Sequence, residues 1–296
     1  MAANYYDSTQ ARHWTFTKAQ LASLRGQLAR THAALHRRHP LPDRRLLHIY
    51  LAQQLGRLGR RLGLRAGVVA TAHMYVARFY VRVEVRRTNP YLVLATAMYL
   101  ASKVEECPQH IRLVLAEATR LWPGQLAGCE SARVGECEFA MVATLRARLL
   151  VHHGFRAVGE VAAAVGAGAD ETGLAMQVVH DAGVTDLPLL YAPHVIAVTA
   201  VFLAVVVRAA GSSAAVAGAA EGPAMSAAMA QRVVLTTGGK GGTTGGGWGR
   251  MVEWLAASQV DMEAVVGATQ ELISLYEVWE NYSERACQDG IARFMG

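Results

Sequence analysis

Two fifteen-residue segments lying 103 positions apart constrain the fold more than any other feature of this sequence. PYLVLATAMYLASKV, starting at Pro90, aligns without a gap on PHVIAVTAVFLAVVV, starting at Pro193. Proline opens both, and the pattern Thr-Ala-x-aromatic-Leu-Ala recurs as Thr96, Ala97, Tyr99, Leu100, Ala101 and as Thr199, Ala200, Phe202, Leu203, Ala204. A matched motif at a fixed offset marks a duplicated unit. Each segment is apolar nearly all round, so as a helix it must be buried all round, at the centre of a bundle. The small alanines let neighbouring helices cross close to it. The chain therefore reads as two copies of one helical domain.

Helical periodicity dominates around the first copy, and no convincing alternating strand appears. In PLPDRRLLHIYLAQQLGRLGRRLG, Leu47, Tyr50, Leu51, Leu55, Leu58 and Leu62 share one face, and Asp43 after proline is placed to cap the start. Further helices are expected at about 65–83, 90–106, 110–121 and 128–149. In the second half, Val260, Val265, Leu272, Leu275, Tyr276 and Trp279 fall at core spacing, with Asp261 near a helix start. Between Ala209 and Arg250 eleven glycines accumulate, which predicts an insertion too poor in apolar surface to order itself. The expected organisation is an N-terminal segment with a helix (1–42), a first domain (43–150), a second domain (151–283) interrupted by the insertion 209–250, and a C-terminal tail (284–296).

Ten arginines between Arg25 and Arg65 concentrate the net charge of +6 in the N-terminal fifth, which suits an acidic partner or nucleic acid. Four cysteines without a C-x-x-C pair fit reduced thiols better than a disulfide frame or a zinc site. The opening MAANYYDSTQARHW lacks the apolar core of a signal peptide. Val195 to Val207 is apolar apart from Thr199, but thirteen helical residues span only about 20 Å against a bilayer core of roughly 30 Å. A buried helix is expected there, and no membrane.

The one cation on the first central helix is Lys103, in YLASKVEECP. At about 100° per residue Thr96, Tyr99, Lys103 and Glu106 share one edge of that helix. A lysine near a helix C-terminus can simply snorkel to solvent and favour the dipole. The repeat argues for more, because the equivalent position in the second copy is Val206 and the shared architecture needs no cation there. A half-buried ammonium calls for an acidic partner. Glu136 and Glu138, in GECEFAMVATL, precede an apolar run on a helix that could cross beside it. Such a pair, opening on one edge, can offer donors to another molecule's backbone carbonyls.

No catalytic constellation emerges. GGKGGTT lacks the Ser or Thr after lysine that a phosphate loop needs, since Gly241 stands there, and Val234 stands where its first glycine belongs. His32 and His36 lie four apart, yet among arginines and beside His39 they read as a solvated face rather than a metal site. His-Arg-Asp and Asp-Phe-Gly are absent, so any kinase activity belongs to a partner. No cofactor and no metal are expected.

YLASKVEE resembles the third-helix signature of the cyclin family, with Glu138 matching the glutamate those proteins place beside the lysine from their fifth helix. Within the family the chain is similar to the cyclin C group, the cyclins of the Mediator kinase module. VVATAHMYVARFY, ECEF, TDLPLLYAPHVIA, VDMEAVVG and LYEVWENYSE look like that group's segments in order, over most of the chain outside 209–250. Ala77 stands where cell-cycle cyclins carry aspartate, which favours a transcriptional cyclin.

The resemblance implies an all-α fold of two tandem five-helix cyclin boxes after an N-terminal helix. It implies a non-catalytic subunit that binds and activates a cyclin-dependent kinase through Lys103 and Glu138, with Leu92, Tyr99 and Glu106 around them. It implies Mediator kinase-module subunits as further partners, RNA polymerase II holoenzyme indirectly, and a nuclear location. The alternative is a nucleic-acid-binding general transcription factor of the B type, which also pairs cyclin-like repeats. Arg37, Arg38, Arg44, Arg45, Arg57, Arg60, Arg61 and Arg65 keep it open, although aromatic stacking residues are sparse among them.

Overall fold

The computed structural model describes residues 4–209, 222–229 and 247–295, and every regular element among them is helical. The chain divides into two compact units, residues 1–151 with 283–296 and residues 152–282. In the first, short helices α1 (Thr9–His13), α2 (Lys18–Thr31) and α3 (Ala33–Arg38) precede α4 (Arg44–Arg61), α5 (Ala66–Arg82), α6 (Pro90–Val104), α7 (Ile111–Leu121) and α8 (Ser131–Thr144). The second holds α9 (Phe155–Val165), α10 (Ala169–Val184), α11 (Leu187–Leu190), α12 (Pro193–Ala209), α13 (Gly247–Ala257) and α14 (Met262–Glu280). Most of the expected insertion at 209–250 lies outside the described residues.

Each unit is built round one copy of the repeat. Pro90 and Pro193 occupy the first helical position, where the missing N–H costs nothing. Asn89 caps α6 by accepting from the Tyr91 and Leu92 amides. Ala97 and Ala101, like Ala200 and Ala204, are fully buried and admit the flanking helices. Residues 195–207 are buried except for Phe202, which agrees with a core helix, and no described helix is long and apolar enough to cross a membrane. The predicted caps hold: Asp43 accepts from the Arg45 amide and Asp261 from the Ala264 amide. The six apolar residues predicted on α4 are all buried. Gly59 stands where α4 crosses α5, and a Cβ there would sit 2.5 Å from Val69 Cγ2.

Two features of the first unit differ from the sequence reading. Residues 284–295, read above as a tail, form α15 (Glu284–Met295), whose Cys287 and Ile291 are buried. Glu284 is held in a two-pronged pair by Arg57, with Nη2 to Oε2 at 2.8 Å, and Gln54 adds a third donor. His36 keeps a partly exposed side chain but is also tied inward: its Nε2 lies 2.9 Å from Oε2 of Glu84, a residue only 6% exposed. Arg86 donates to the other Glu84 oxygen at 2.6 Å and to the His39 carbonyl at 2.7 Å, fixing the end of α3.

Burial alone would raise the Glu84 pKa, but the hydrogen bonds from His36 and Arg86 outweigh it and hold the carboxyl below its ordinary range. Its contribution is therefore present above the unfolded carboxylate pKa and is lost as pH falls through the lower folded value. Glu84→Ala leaves the buried Arg86 cation unpaired and is expected to cost about 3 kcal/mol at neutral pH. Urea unfolding checks this, and the difference from the parent chain should shrink on acidification.

Candidate functional site

The C-terminal half of α6 is where the two copies part chemically. Val206 is 1% exposed in the second unit, packed in the core like its neighbours. In the first unit Lys103 stands at that register with a side chain 39% exposed, and its ammonium forms an ion pair with the Glu138 carboxylate of α8. The Lys103 Nζ also sits 4.3 Å from the Tyr99 ring centroid, one turn back on the same edge. Phe202, the counterpart of Tyr99, packs instead against Trp248 of α13 at 5.9 Å between ring centroids.

The surrounding chain fixes this geometry. Glu105 ends α6, and its carboxylate accepts a hydrogen bond from Thr71 of α5 at 2.7 Å. Its carbonyl accepts from Arg65 at 3.1 Å. Glu106 then turns into the left-handed region at φ 52°, which stops the helix one turn after Lys103 reaches the surface. On α8, Val134 and Met141 are fully buried and set the rotation of the helix, so that Glu138 is only 18% exposed where it meets Lys103. A carboxylate so enclosed, paired once, holds the ammonium in place while leaving part of it accessible.

Of the five residues expected at the site, Lys103, Glu138 and Tyr99 come together. Leu92 is half-buried two turns before Tyr99 on the same edge. Glu106 is exposed and belongs to the turn rather than to the ion pair. Glu136, the other acidic candidate, faces Arg133 on its own helix at 3.3 Å and plays no part. Phe139 escaped the sequence reading: it follows Glu138 and is 79% exposed, the most exposed of the large hydrophobic side chains described. It opens the apolar run FAMV, where residue type alone does not tell a buried position from an exposed one. The seven-residue spacing of Val134 and Met141, which share one buried face well away from Phe139, is the signal that turns it outward.

Among the described residues no group of three or more histidines, cysteines, aspartates or glutamates is placed to hold a metal ion. The arrangement is suited to recognition: a fixed cation, an acceptor and aromatic surface on one edge of a rigid helix pair.

The sequence pattern of the cyclin N-terminal domain matches residues 26–149. The RNA polymerase II holoenzyme cyclin-like subunit of Aspergillus oryzae is 46% identical over 295 residues, covering 100% of this chain and 98% of that protein. The protein of the same name from Aspergillus terreus is 47% identical with the same coverage. This chain belongs to the cyclin family. In three dimensions it resembles a chain of the CAK complex from Chaetomium thermophilum bound to ATP-γ-S, with a TM-score of 0.64 at 19% identity, covering 98% of this chain and 87% of that one. It also resembles a chain of the yeast TFIIK (Kin28/Ccl1/Tfb3) complex, with a TM-score of 0.59 at 18% identity, covering 92% and 100%. At that identity these neighbours establish the all-α cyclin fold.

Proposed function

We propose that this protein is the regulatory subunit of a cyclin-dependent kinase in the Mediator kinase module, acting with RNA polymerase II in the nucleus. The observation that carries the reading is the Lys103–Glu138 pair, half-open beside Tyr99 in the first unit and replaced by buried Val206 in the second. The RNA polymerase II holoenzyme named for its relatives supplies the context. In this reading Lys103 donates to carbonyls at the end of a kinase helix, Glu138 holds the ammonium, and Leu92, Tyr99 and Phe139 supply apolar contact. Docking there favours the kinase conformation in which its own Lys–Glu pair is assembled. The chain itself performs no chemistry and uses no cofactor; other kinase-module subunits bind elsewhere on it.

The competing reading, a nucleic-acid-binding transcription factor, needs the basic face of α4. Two of its arginines are already committed, Arg57 to Glu284 and Arg61 to Glu117 at 2.9 Å. Arg45 lies 3.7 Å from Asp43. Arginines already paired with carboxylates contribute less counterion release on meeting a phosphate backbone.

Affinity purification of the tagged chain from its native cell, with identification of the associated kinase and assay of its activity on an RNA polymerase II tail peptide, tests the reading. A recovered and active cyclin-dependent kinase is the expected result; sequence-preferring DNA binding by the chain alone, without a kinase, contradicts it. Phe139→Ser should leave the melting temperature within a few degrees of the parent, because an exposed side chain adds little to the fold. It should still weaken kinase binding about tenfold, since large aromatics at the centre of interfaces carry much of their energy. Titration calorimetry with the purified kinase measures this.

A further inference from the structure

A second cluster in the first unit takes no part in that site. Arg82 ends α5, Arg146 and Arg148 lie in the turn after α8, and Arg12 and His13 end α1. These groups converge. Desolvation, then the charges of Arg148, Arg12 and Arg146, hold the His13 pKa below its ordinary value. Burial first, then Arg146 and Arg148, likewise lower the Arg82 pKa. Fully buried Trp14 holds the cluster from beneath, with the Arg82 guanidinium 5.0 Å and the Arg78 guanidinium 5.4 Å from its ring.

Arg78 is wholly buried and donates through Nη1 to the Arg148 carbonyl at 3.2 Å, while its Nε and Nη2 have no hydrogen-bond partner. Burial lowers its pKa to about 10, so it remains a cation at neutral pH behind the others. Among the described residues only Arg12 in this cluster has a carboxylate within reach, Asp7 at 3.8 Å, with both side chains mostly exposed.

The backbone is also shaped for this display. Arg146 and Ala147 both have φ 54°, a region that costs a non-glycine residue about 1 kcal/mol or more. Hydrogen bonds hold the turn there, from the Ala147 amide to the Val142 carbonyl at 2.9 Å and from the Tyr75 hydroxyl to the Leu149 carbonyl at 2.7 Å. Mutual repulsion of the cations and two strained residues thus both oppose folding, and among the described residues no carboxylate beyond the exposed Asp7 beside Arg12 is there to offset them. A bound anion would.

We propose that Arg82, Arg146, Arg148 and Arg12 bind the phosphate of a phosphorylated serine or threonine on a partner protein. Guanidinium forks match a dianionic phosphate in geometry as well as in charge. Nucleic acid fits less well, because Trp14, the aromatic among the cations, is sealed from stacking with bases. A cavity of about 410 Å³ beside the knot, lined by Arg12, His13, Thr15, Phe16, Gln20 and Ser23, has room for residues flanking the phosphate.

The test is fluorescence anisotropy on the full chain with a labelled Gly-Ala decapeptide carrying one central phosphoserine. Parallel arms use the unphosphorylated peptide and a labelled ten-nucleotide thymidine strand. Saturable binding of the phosphopeptide is expected, about tenfold or more tighter than the unphosphorylated one. Arg82→Gln and Arg146→Gly should each weaken it about tenfold, while Arg133→Gln on α8 leaves it unchanged. Arg146→Gly separates recognition from folding, since glycine relieves the left-handed position and the melting temperature should hold or rise as affinity falls. Should Arg82→Gln lower the melting temperature, Arg82→Lys keeps the charge, loses the fork and is still expected to bind more weakly. Equal binding of both peptides, folded arginine variants that bind like the parent, or tighter binding of the thymidine strand lost in the same variants would each overturn the proposal. None of these outcomes depends on the kinase.

Discussion

Lys103→Ala is expected to weaken the complex with the partner kinase by about 2–5 kcal/mol, from roughly 30-fold to several thousandfold in Kd. The size follows from what remains behind. Glu138 is 18% exposed, so removing the ammonium leaves a carboxylate enclosed by α6 and α8 with its partner gone, now facing the kinase as an uncompensated charge. Glu138→Ala should act through the same pair by freeing Lys103 to swing into solvent, so the double variant should lose much less than the sum of the two. The isolated chain should scarcely notice. A pair whose lysine is 39% exposed contributes on the order of 1 kcal/mol or less to folding. Calorimetric titration with purified kinase, set beside thermal melts of the chain alone, separates the two effects.

The second large effect concerns the other unit. Asp181 on α10 is 6% exposed, accepts a hydrogen bond from the Ala224 amide at 2.6 Å and faces the Tyr276 hydroxyl of α14. Burial pushes its pKa up to about 7, although the Ala224 hydrogen bond and the nearby Tyr276 hydroxyl work the other way. A carboxyl whose folded pKa exceeds its unfolded one contributes full stability below the unfolded pKa. That contribution falls as pH rises towards the folded value and is flat above it. Asp181→Asn keeps the shape and the acceptor for the Ala224 amide but cannot ionise. It should be the more stable protein at pH 8, by on the order of 2–4 kcal/mol, and should show a flatter stability profile between about pH 4 and 7. Urea unfolding of the second unit across that range measures it; a parent chain as stable at pH 8 as at pH 5 would contradict the assignment.

Much of the scaffold could be read from residue order because the signals are local. The helix expected at 90–106 forms at 90–104, and the one expected at 110–121 forms at 111–121. The Asp43 and Asp261 caps and the apolar faces of α4 and α14 depend only on spacing along one helix. Lys103 was conspicuous because a second copy of its helix offered an internal comparison at Val206. What escaped notice depends on partners distant in sequence. His36 meets Glu84 across 48 positions, Arg57 meets Glu284 across 227, and Ala224 meets Asp181 across 43. No periodicity records such meetings. The amphipathic α15 was hidden by its mixed charge, since only Cys287, Gly290 and Ile291 turn fully inward. Phe139 gives no such signal by residue type, being apolar yet turned outward by the rotation of α8.

The central claim is that the edge of α6 and α8 around Lys103 meets the kinase, while the matching edge of α12 does not. Amide hydrogen exchange of the chain, free and saturated with its kinase, tests this most directly. The account predicts new protection in peptides spanning 92–106 and 131–140, with peptides spanning 193–209 unchanged. Protection confined to 193–209, or none around Lys103 in a complex shown to be saturated, would contradict it.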